Sequence, residues 1–414
     1  MRVLFLDDAV FADLPGGSRM IAWKLAQGLV QQGHEVTLLA PHHRTDTPDE
    51  EWADGIQVVR YQGAGKAFQF VRQGREACAR LWSQGAYDIV HTHFAYAALG
   101  PLQVVPKDTI RVRSFYGPWD EEGWVEDSVR LRQERADPFW KRLRRAARNR
   151  VVRFLRHQIE ARSLRGSRTI VVLSEQSRRE VLAFGKVRAP IIKIPGGVDL
   201  ARFAPAADPQ AVRQTLGLPE GRRILLSVRR LTPRMGLDCL IEAMPAILAQ
   251  YPDTLLLIGG KGPEHAALAA LIARLGLQAS VSLLGFIAHD QLALHYQAAD
   301  AFVLPSVTLE GFGLVTVESL ACGTPVIGTS VGATPEILQA LEPRLLAPSA
   351  SPEALAQAVL AFFGGDWGKS LTAARLHSFV RERYSWDKHV QETLALYHTL
   401  QEQALSREAL GAPR

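Results

Sequence analysis

With 414 residues the chain exceeds what one hydrophobic core usually serves, so two domains are expected. Hydrophobic residues make up 47% and charged residues 22%, which excludes a disordered or fibrous protein. The net charge of +6 and pI near 9.3 are modest for this length, and no nucleic-acid partner is expected. Three cysteines, Cys78, Cys239 and Cys322, lie far apart without a CxxC or Cys/His cluster, so neither a disulfide framework nor a zinc site is indicated.

The first element is a strand-like run over Val3–Leu6 with no signal-peptide architecture before it, and no apolar run approaches the length that spans a bilayer. The expectation is a cytoplasmic protein whose membrane contact, if any, is peripheral at the inner face. Pro15-Gly16-Gly17-Ser18 then precedes a helix through Leu25 and Leu29 that ends near Gly33. Short apolar runs alternate with helical stretches from there on: Val36–Leu39, Ile89–His91, Arg111–Ser114, Thr169–Leu173 and Ile191–Ile194 read as strands of a parallel α/β sheet. His93 follows Ile89–His91 at the end of the stretch Asp88–His93, at the edge where such sheets place their clefts. Tyr116 and Trp119 follow Arg111–Ser114, with aromatic rings suited to sugar faces.

Between Arg130 and Arg168 the arginines are concentrated. Lys141, Arg142, Arg144, Arg145, Arg148, Arg150, Arg153 and Arg156 recur at helical spacing among Leu143, Val151, Val152, Phe154, Leu155 and Ile159. This is a basic amphipathic helix; the plainer expectation is a solvated face, the other a contact with anionic membrane lipid.

Pro195-Gly196-Gly197 through Pro209 reads as an interdomain linker, after which the strand–helix pattern resumes at Ile224–Val228, Leu255–Gly259, Val281–Leu284, Ala301–Leu304 and Val326–Gly328. The loop Ser227–Gly236 after the first of these carries Arg229, Arg230 and Arg234, suited to phosphate. After Ala301–Leu304 comes Glu310-Gly311-Phe312-Gly313-Leu314-Val315, running into a helix that contains Glu318. A helix N-terminus of this kind can hold a diphosphate without a metal ion, Glu318 is then placed to accept hydrogen bonds from a ribose, and Glu310 to reach a transferred sugar. Two solvated glutamates flanking an ordinary turn are the bland alternative. A last helix, Trp386–Leu405, is expected to dock back across the linker.

These segments together resemble the retaining family 4 glycosyltransferases of the GT-B fold, from Asp8 to about Leu400. The family's Glu-x7-Glu signature matches Glu310 and Glu318 and continues into Ala321-Cys322-Gly323-Thr324-Pro325-Val326-Ile327. The resemblance implies an α/β protein with two Rossmann-like doubly wound parallel-sheet domains facing across a cleft. Residues 1–195, completed by helix 385–405, would form the acceptor side and 196–384 the nucleotide-sugar side. It implies that Gly16 and Gly17 approach phosphate, that His93 touches the donor sugar, and that Arg230 binds the diphosphate. The family's lysine is Met235 here, so Arg234 is expected to substitute for it, while Arg229 reads as a solvated charge. Gly285, Phe286 and Ile287 would line the base pocket, and Phe312, Gly313, Leu314 and Val315 the diphosphate. Tyr116 stands where the family carries His. Glu310 would orient the sugar, with Glu310, His93 and Arg230 as the catalytic group.

The implied reaction is metal-free, cofactor-free transfer of a hexose from a nucleotide diphosphate sugar, with front-face attack by an acceptor hydroxyl whose identity stays open. A phosphorylase or epimerase on the same architecture and a non-catalytic nucleotide-sugar binder are the alternatives. A dinucleotide-dependent oxidoreductase lacks its fingerprint, because no GxGxxG turn follows Val3–Leu6.

Overall fold

The computed structural model describes residues 1–63, 67–125, 139–367 and 370–409; Arg130, at the start of the basic run, lies outside them. The chain divides into two compact units, Met1–Gly196 with Trp386–Arg414, and Gly197–Ser385.

In the first unit the strands are β1 (Arg2–Leu6), β2 (Glu35–Pro41), β3 (Glu50–Ala53), β4 (Ile56–Tyr61), β5 (Ile89–Thr92), β6 (Ile110–Phe115), β7 (Thr169–Val172) and β8 (Ile191–Lys193). Their spatial order is β3-β4-β2-β1-β5-β6-β7-β8, parallel except for the antiparallel β3–β4 pair. The central strands are apolar without alternation because helices cover both faces. Val3 and Phe5 meet Leu25 and Leu29 of helix Gly17–Gln31 on one side, and Leu4 and Leu6 meet Phe70, Cys78 and Leu81 of helix Ala67–Ser83 on the other.

β3 and β4 were not expected from the sequence. They form a hairpin closed by Asp54 and Gly55, both at positive φ (51° and 76°), the backbone that a two-residue primed turn requires. The Asp-Gly pair before Ile56 was the available signal.

Helix Trp386–Ala409 crosses back onto the first unit, where Val390, Tyr397 and Leu400 join the cluster of Val3 and Phe5. Gly28 makes this approach possible, since a Cβ there would lie 2.3 Å from Cγ2 of Val390. His389 fixes the entry of the helix through Nδ1 and the Pro195 carbonyl, 2.7 Å apart.

The second unit holds β9 (Arg223–Val228), β10 (Thr254–Gly259), β11 (Val281–Gly285), β12 (Ala301–Leu304), β13 (Val326–Thr329) and β14 (Leu346–Ala347), all parallel in the order β11-β10-β9-β12-β13-β14. The expected linker is shorter than its composition suggested. The Val198 amide donates to the Tyr384 carbonyl (2.8 Å), Phe203 is buried edge-on to Tyr296, and Gln297 Nε2 donates to the Ala204 carbonyl (2.7 Å). Residues from Val198 onward therefore pack as part of the second unit.

Each sheet has one place where successive connections leave in opposite directions. In the first it lies between β1 and β5, in the second between β9 and β12. Loops at the carboxyl ends of such strand pairs diverge and leave a crevice, the usual ligand position in doubly wound sheets.

Candidate active site

The crevice of the second unit is lined by the loops after β9 and β12. Arg229, one residue past β9, points its guanidinium at Glu310, with Nη2 2.6 Å from Oε2; Nη1 donates to Ser306 Oγ at 2.8 Å. Ser306 Oγ in turn donates to the same Glu310 oxygen at 2.8 Å. The pair is sealed from solvent, with the side chains only 5% and 11% exposed. Burial alone would raise the Glu310 pKa. The charge and hydrogen bond of Arg229, the Ser306 hydroxyl and the nearby Arg234 outweigh it and hold the carboxyl below its ordinary value.

Arg229 is thus not the solvated charge that the sequence suggested; it is a buried partner of Glu310. Arg230, the residue assigned to the diphosphate, is exposed beside it. Arg234 Nη1 donates to the Leu309 carbonyl at 2.8 Å, so this loop too converges on Glu310, while Met235 is buried. Leu309 itself adopts φ 58°, a left-handed conformation that a branched side chain rarely takes and that marks a constrained loop. Gly332 presses against the other side: at φ 59°, a Cβ on it would lie 2.1 Å from the Glu310 carbonyl oxygen.

Gly313 (φ 86°) then turns the chain into helix Leu314–Ala321, whose first amides, at Leu314 and Val315, bring the positive end of the helix dipole to the crevice. The Phe312 ring is buried against Tyr384, leaving its backbone as the part available to a ligand. One turn into the helix, Glu318 Oε2 accepts from the Tyr296 hydroxyl at 3.0 Å. Burial pushes the Glu318 pKa up to about 7, even though the Tyr296 hydrogen bond and the charge of Arg202 favour the carboxylate.

At the end of β11, Gly285 takes φ 70° and its carbonyl receives the Gly260 amide. Phe286 is 63% exposed, with Lys261 Nζ 5.4 Å from its ring centre, and Ile287 packs against Gly259.

In the first unit the crevice is bounded by the loops after β1 and β5. Gly16 is extended and leads into Gly17, the first residue of a 15-residue helix. Arg19 fixes this entry with a forked pair of hydrogen bonds to Asp8, 3.0 and 2.6 Å. His93, just past β5, is buried; its Nδ1 lies 2.7 Å from the Tyr116 hydroxyl, while among the described residues its Nε2 has no hydrogen-bond partner. Its ring stacks on His91 (4.3 Å), which itself bridges Ser114 Oγ and the Tyr397 hydroxyl. Burial, then His91 and the Arg113 charge, push the His93 pKa well down, so it is a neutral imidazole. Trp119 sits among Phe94 and Tyr96, with the Arg156 guanidinium 5.2 Å from its ring centre.

The structure thus brings His93 to Tyr116 in one unit, and Glu310, Arg234 and the Gly313–Val315 turn together in the other. Ser306 and Tyr296 are participants that the sequence did not single out, and Arg229 is one that it read as solvated.

Two doubly wound parallel-sheet units, each with polar side chains gathered at its switch point, are the architecture of the GT-B glycosyltransferases. The chain belongs to glycosyltransferase family 4: the model of that family matches residues 15–202, and that of the group 1 glycosyl transferases matches residues 208–370. It is 28% identical to an uncharacterized glycosyltransferase of Methanocaldococcus jannaschii, over 92% of this chain and 94% of that one. It is 26% identical to the phosphatidyl-myo-inositol mannosyltransferase of Mycolicibacterium smegmatis, over 97% and 94% of the two chains. Among solved structures, sucrose-phosphate synthase of Thermosynechococcus elongatus superposes with a TM-score of 0.77 at 24% identity, covering 96% of this chain and 98% of that one.

Proposed function

We propose that this glycosyltransferase transfers a hexose from a nucleotide diphosphate sugar to an acceptor hydroxyl, with retention of configuration and without a metal ion. The observation that carries this reading is the convergence, at the β9/β12 switch point, of Arg229, Arg234, Glu310 and the N-terminus of helix Leu314–Ala321. As the bond from anomeric carbon to phosphate oxygen breaks, charge grows on the leaving diphosphate. Arg230, Arg234 and the leading amides of the helix are the groups assigned to stabilise it. Glu318 takes the ribose hydroxyls, and the exposed Phe286 with the neighbouring Gly285 and Ile287 takes the base.

Glu310 has one oxygen already engaged by Arg229 and Ser306. A carboxylate so tethered suits the orientation of a sugar hydroxyl through its remaining oxygen better than nucleophilic attack. Front-face attack, in which the departing diphosphate accepts the acceptor's proton, requires no second carboxylate. His93, neutral and with Nε2 open, is assigned a hydrogen bond to the donor sugar. Tyr116 and Trp119 are assigned to the acceptor, which for the mycobacterial relative is by its name a phosphatidylinositol.

Thermal stabilisation by UDP-, GDP- and ADP-sugars in the presence of EDTA tests the donor site. A shift with one nucleotide family supports the reading and names the base; the absence of any shift would refute it. Proton NMR of the anomeric signal of the first product then separates retention from inversion.

A further inference from the structure

The helix Phe139–Arg165 is two-faced in a way that a merely solvated helix is not. Its inner face is anchored in the first unit: Ala161 and Leu164 are buried beside Phe115, Glu160 is paired with Arg113 at 2.6 Å, and the His157 ring stacks on Phe184 at 4.7 Å. On the opposite face the apolar side chains point outward. Trp140, Leu143, Val151, Phe154 and Leu155 are 60%, 60%, 58%, 61% and 52% exposed. At 100° per residue, these five and the exposed Ala147 fall in one stripe, about 20 Å long at 1.5 Å per residue. Exposed Arg144 lies within the stripe, and exposed Arg148 and Arg150 flank it on its two sides.

We infer that this face docks the protein on the surface of an anionic lipid bilayer. Over its 27 residues the helix has ten Lys and Arg and a single acid, Glu160, whereas the whole chain carries only +6. The net excess of positive charge thus lies in this element, and the rest of the chain is net acidic. Aromatic and aliphatic side chains bordered by arginines match the acyl–headgroup boundary of a negatively charged membrane, with the guanidinium groups at the phosphates. A nucleic-acid backbone would satisfy the arginines but leave the apolar stripe in water. No helix among the described residues is long and apolar enough to cross a membrane, so the contact is peripheral. The inner face of the same helix touches the segment assigned to the acceptor, through Arg156 on Trp119 and His157 on Asp120 (3.1 Å). Docking would therefore bring that segment close to lipid.

The test uses the full chain without any nucleotide sugar, so its outcome is separate from that of the donor reading. Wild type should cosediment at low salt with phosphatidylcholine vesicles containing phosphatidylglycerol, and far less with phosphatidylcholine alone. Arg148→Gln with Arg150→Gln should weaken partitioning about 30-fold, roughly fivefold per charge. The triple variant Trp140→Ser, Leu143→Ser, Phe154→Ser should abolish retention at unchanged net charge, with the melting temperature of wild type. Three results would overturn the proposal: no retention of wild type, retention indifferent to the serine substitutions, or a wild-type dimer in light scattering that those substitutions make monomeric. The last would assign the stripe to a second copy of the chain.

Discussion

Arg229 and Glu310 come from the loops of two adjacent strands, β9 and β12, and meet 2.6 Å apart where the sheet reverses its winding. The contact keeps Glu310 ionised although it is buried. Removing one member of such a pair leaves an uncompensated charge, at a cost of about 3–5 kcal/mol. Arg229→Met should therefore destabilise the protein by about that amount, and Glu310→Gln introduced on top should recover part of it. At saturating donor, where the titration of Glu318 no longer contributes, the acid limb of kcat should move to higher pH in Arg229→Met, because the burial that raises the Glu310 pKa is then unopposed by its main partner. If the limb stays in place while stability falls, Arg229 is structural only.

Glu318 supplies the second pH signal. Its carboxyl titrates near 7 in the free protein, and only the carboxylate accepts from both ribose hydroxyls. Binding therefore favours the ionised form: affinity should be full above about pH 7 and fall by up to about tenfold per unit below it. Calorimetry with a nucleotide sugar, whose own diphosphate does not titrate in this range, should show proton release on binding near neutrality. Glu318→Gln should bind weakly and without pH dependence. In Tyr296→Phe the carboxylate loses a donor, so its pKa should rise above 7 and affinity at pH 7.5 should drop about two- to tenfold. Identical titration curves for wild type and Tyr296→Phe would remove Tyr296 from the site.

Much of this architecture is written in the sequence, because buried parallel strands are short apolar runs and the glycine-bracketed Glu310 loop follows one directly. Neighbours in space are another matter. Arg229 rather than Arg230 turns to Glu310, but both faces of β9 are buried, at Leu226 and at Ser227, so alternation along the strand does not tell the two arginines apart. That its partner would be Glu310 depends on β12 lying beside β9, which strand order alone decides. Tyr296 escaped notice for the same reason: its role comes from helix Leu292–Ala298 packing on helix Leu314–Ala321. The basic helix was legible as an element, but which of its faces turns outward depends on the Glu160–Arg113 pair, and the outward face proved apolar.

Gly332 tests how tightly the Glu310 loop is held. Its φ of 59° and the 2.1 Å approach of a notional Cβ to the Glu310 carbonyl oxygen leave no room for a side chain. Gly332→Ala must either move the loop or strain it, and a cost of at least about 2 kcal/mol is expected. Because the Ala333 amide also donates to that carbonyl (2.8 Å), the displacement should reach the Arg229–Glu310 pair, and transfer should fall further than stability. Gly217→Ala, at φ 63° with no neighbour within 4 Å of its Cβ, is the control for backbone strain alone and should leave the transfer rate unaffected.

Arg234 stands next to the buried Met235, the position at which the family's lysine is expected, and its guanidinium rests on the Leu309 carbonyl beside Glu310. If it serves in place of that lysine, it is needed most when the diphosphate departs. Arg234→Ala should then lower kcat by about 10²-fold or more, the usual loss for one charge-stabilising donor, while KM for the donor changes much less. Arg234→Lys should recover part of the rate, since a point charge restores the Coulomb attraction but not the bond to Leu309. Met235→Lys in the Arg234→Ala background asks whether the position or the charge matters. Recovery of kcat would show that a cation from either residue reaches the same phosphate; if neither lysine restores any rate, the role of Arg234 is to brace the Leu309–Glu310 turn, and the leaving group must be served by Arg230 and the helix amides alone.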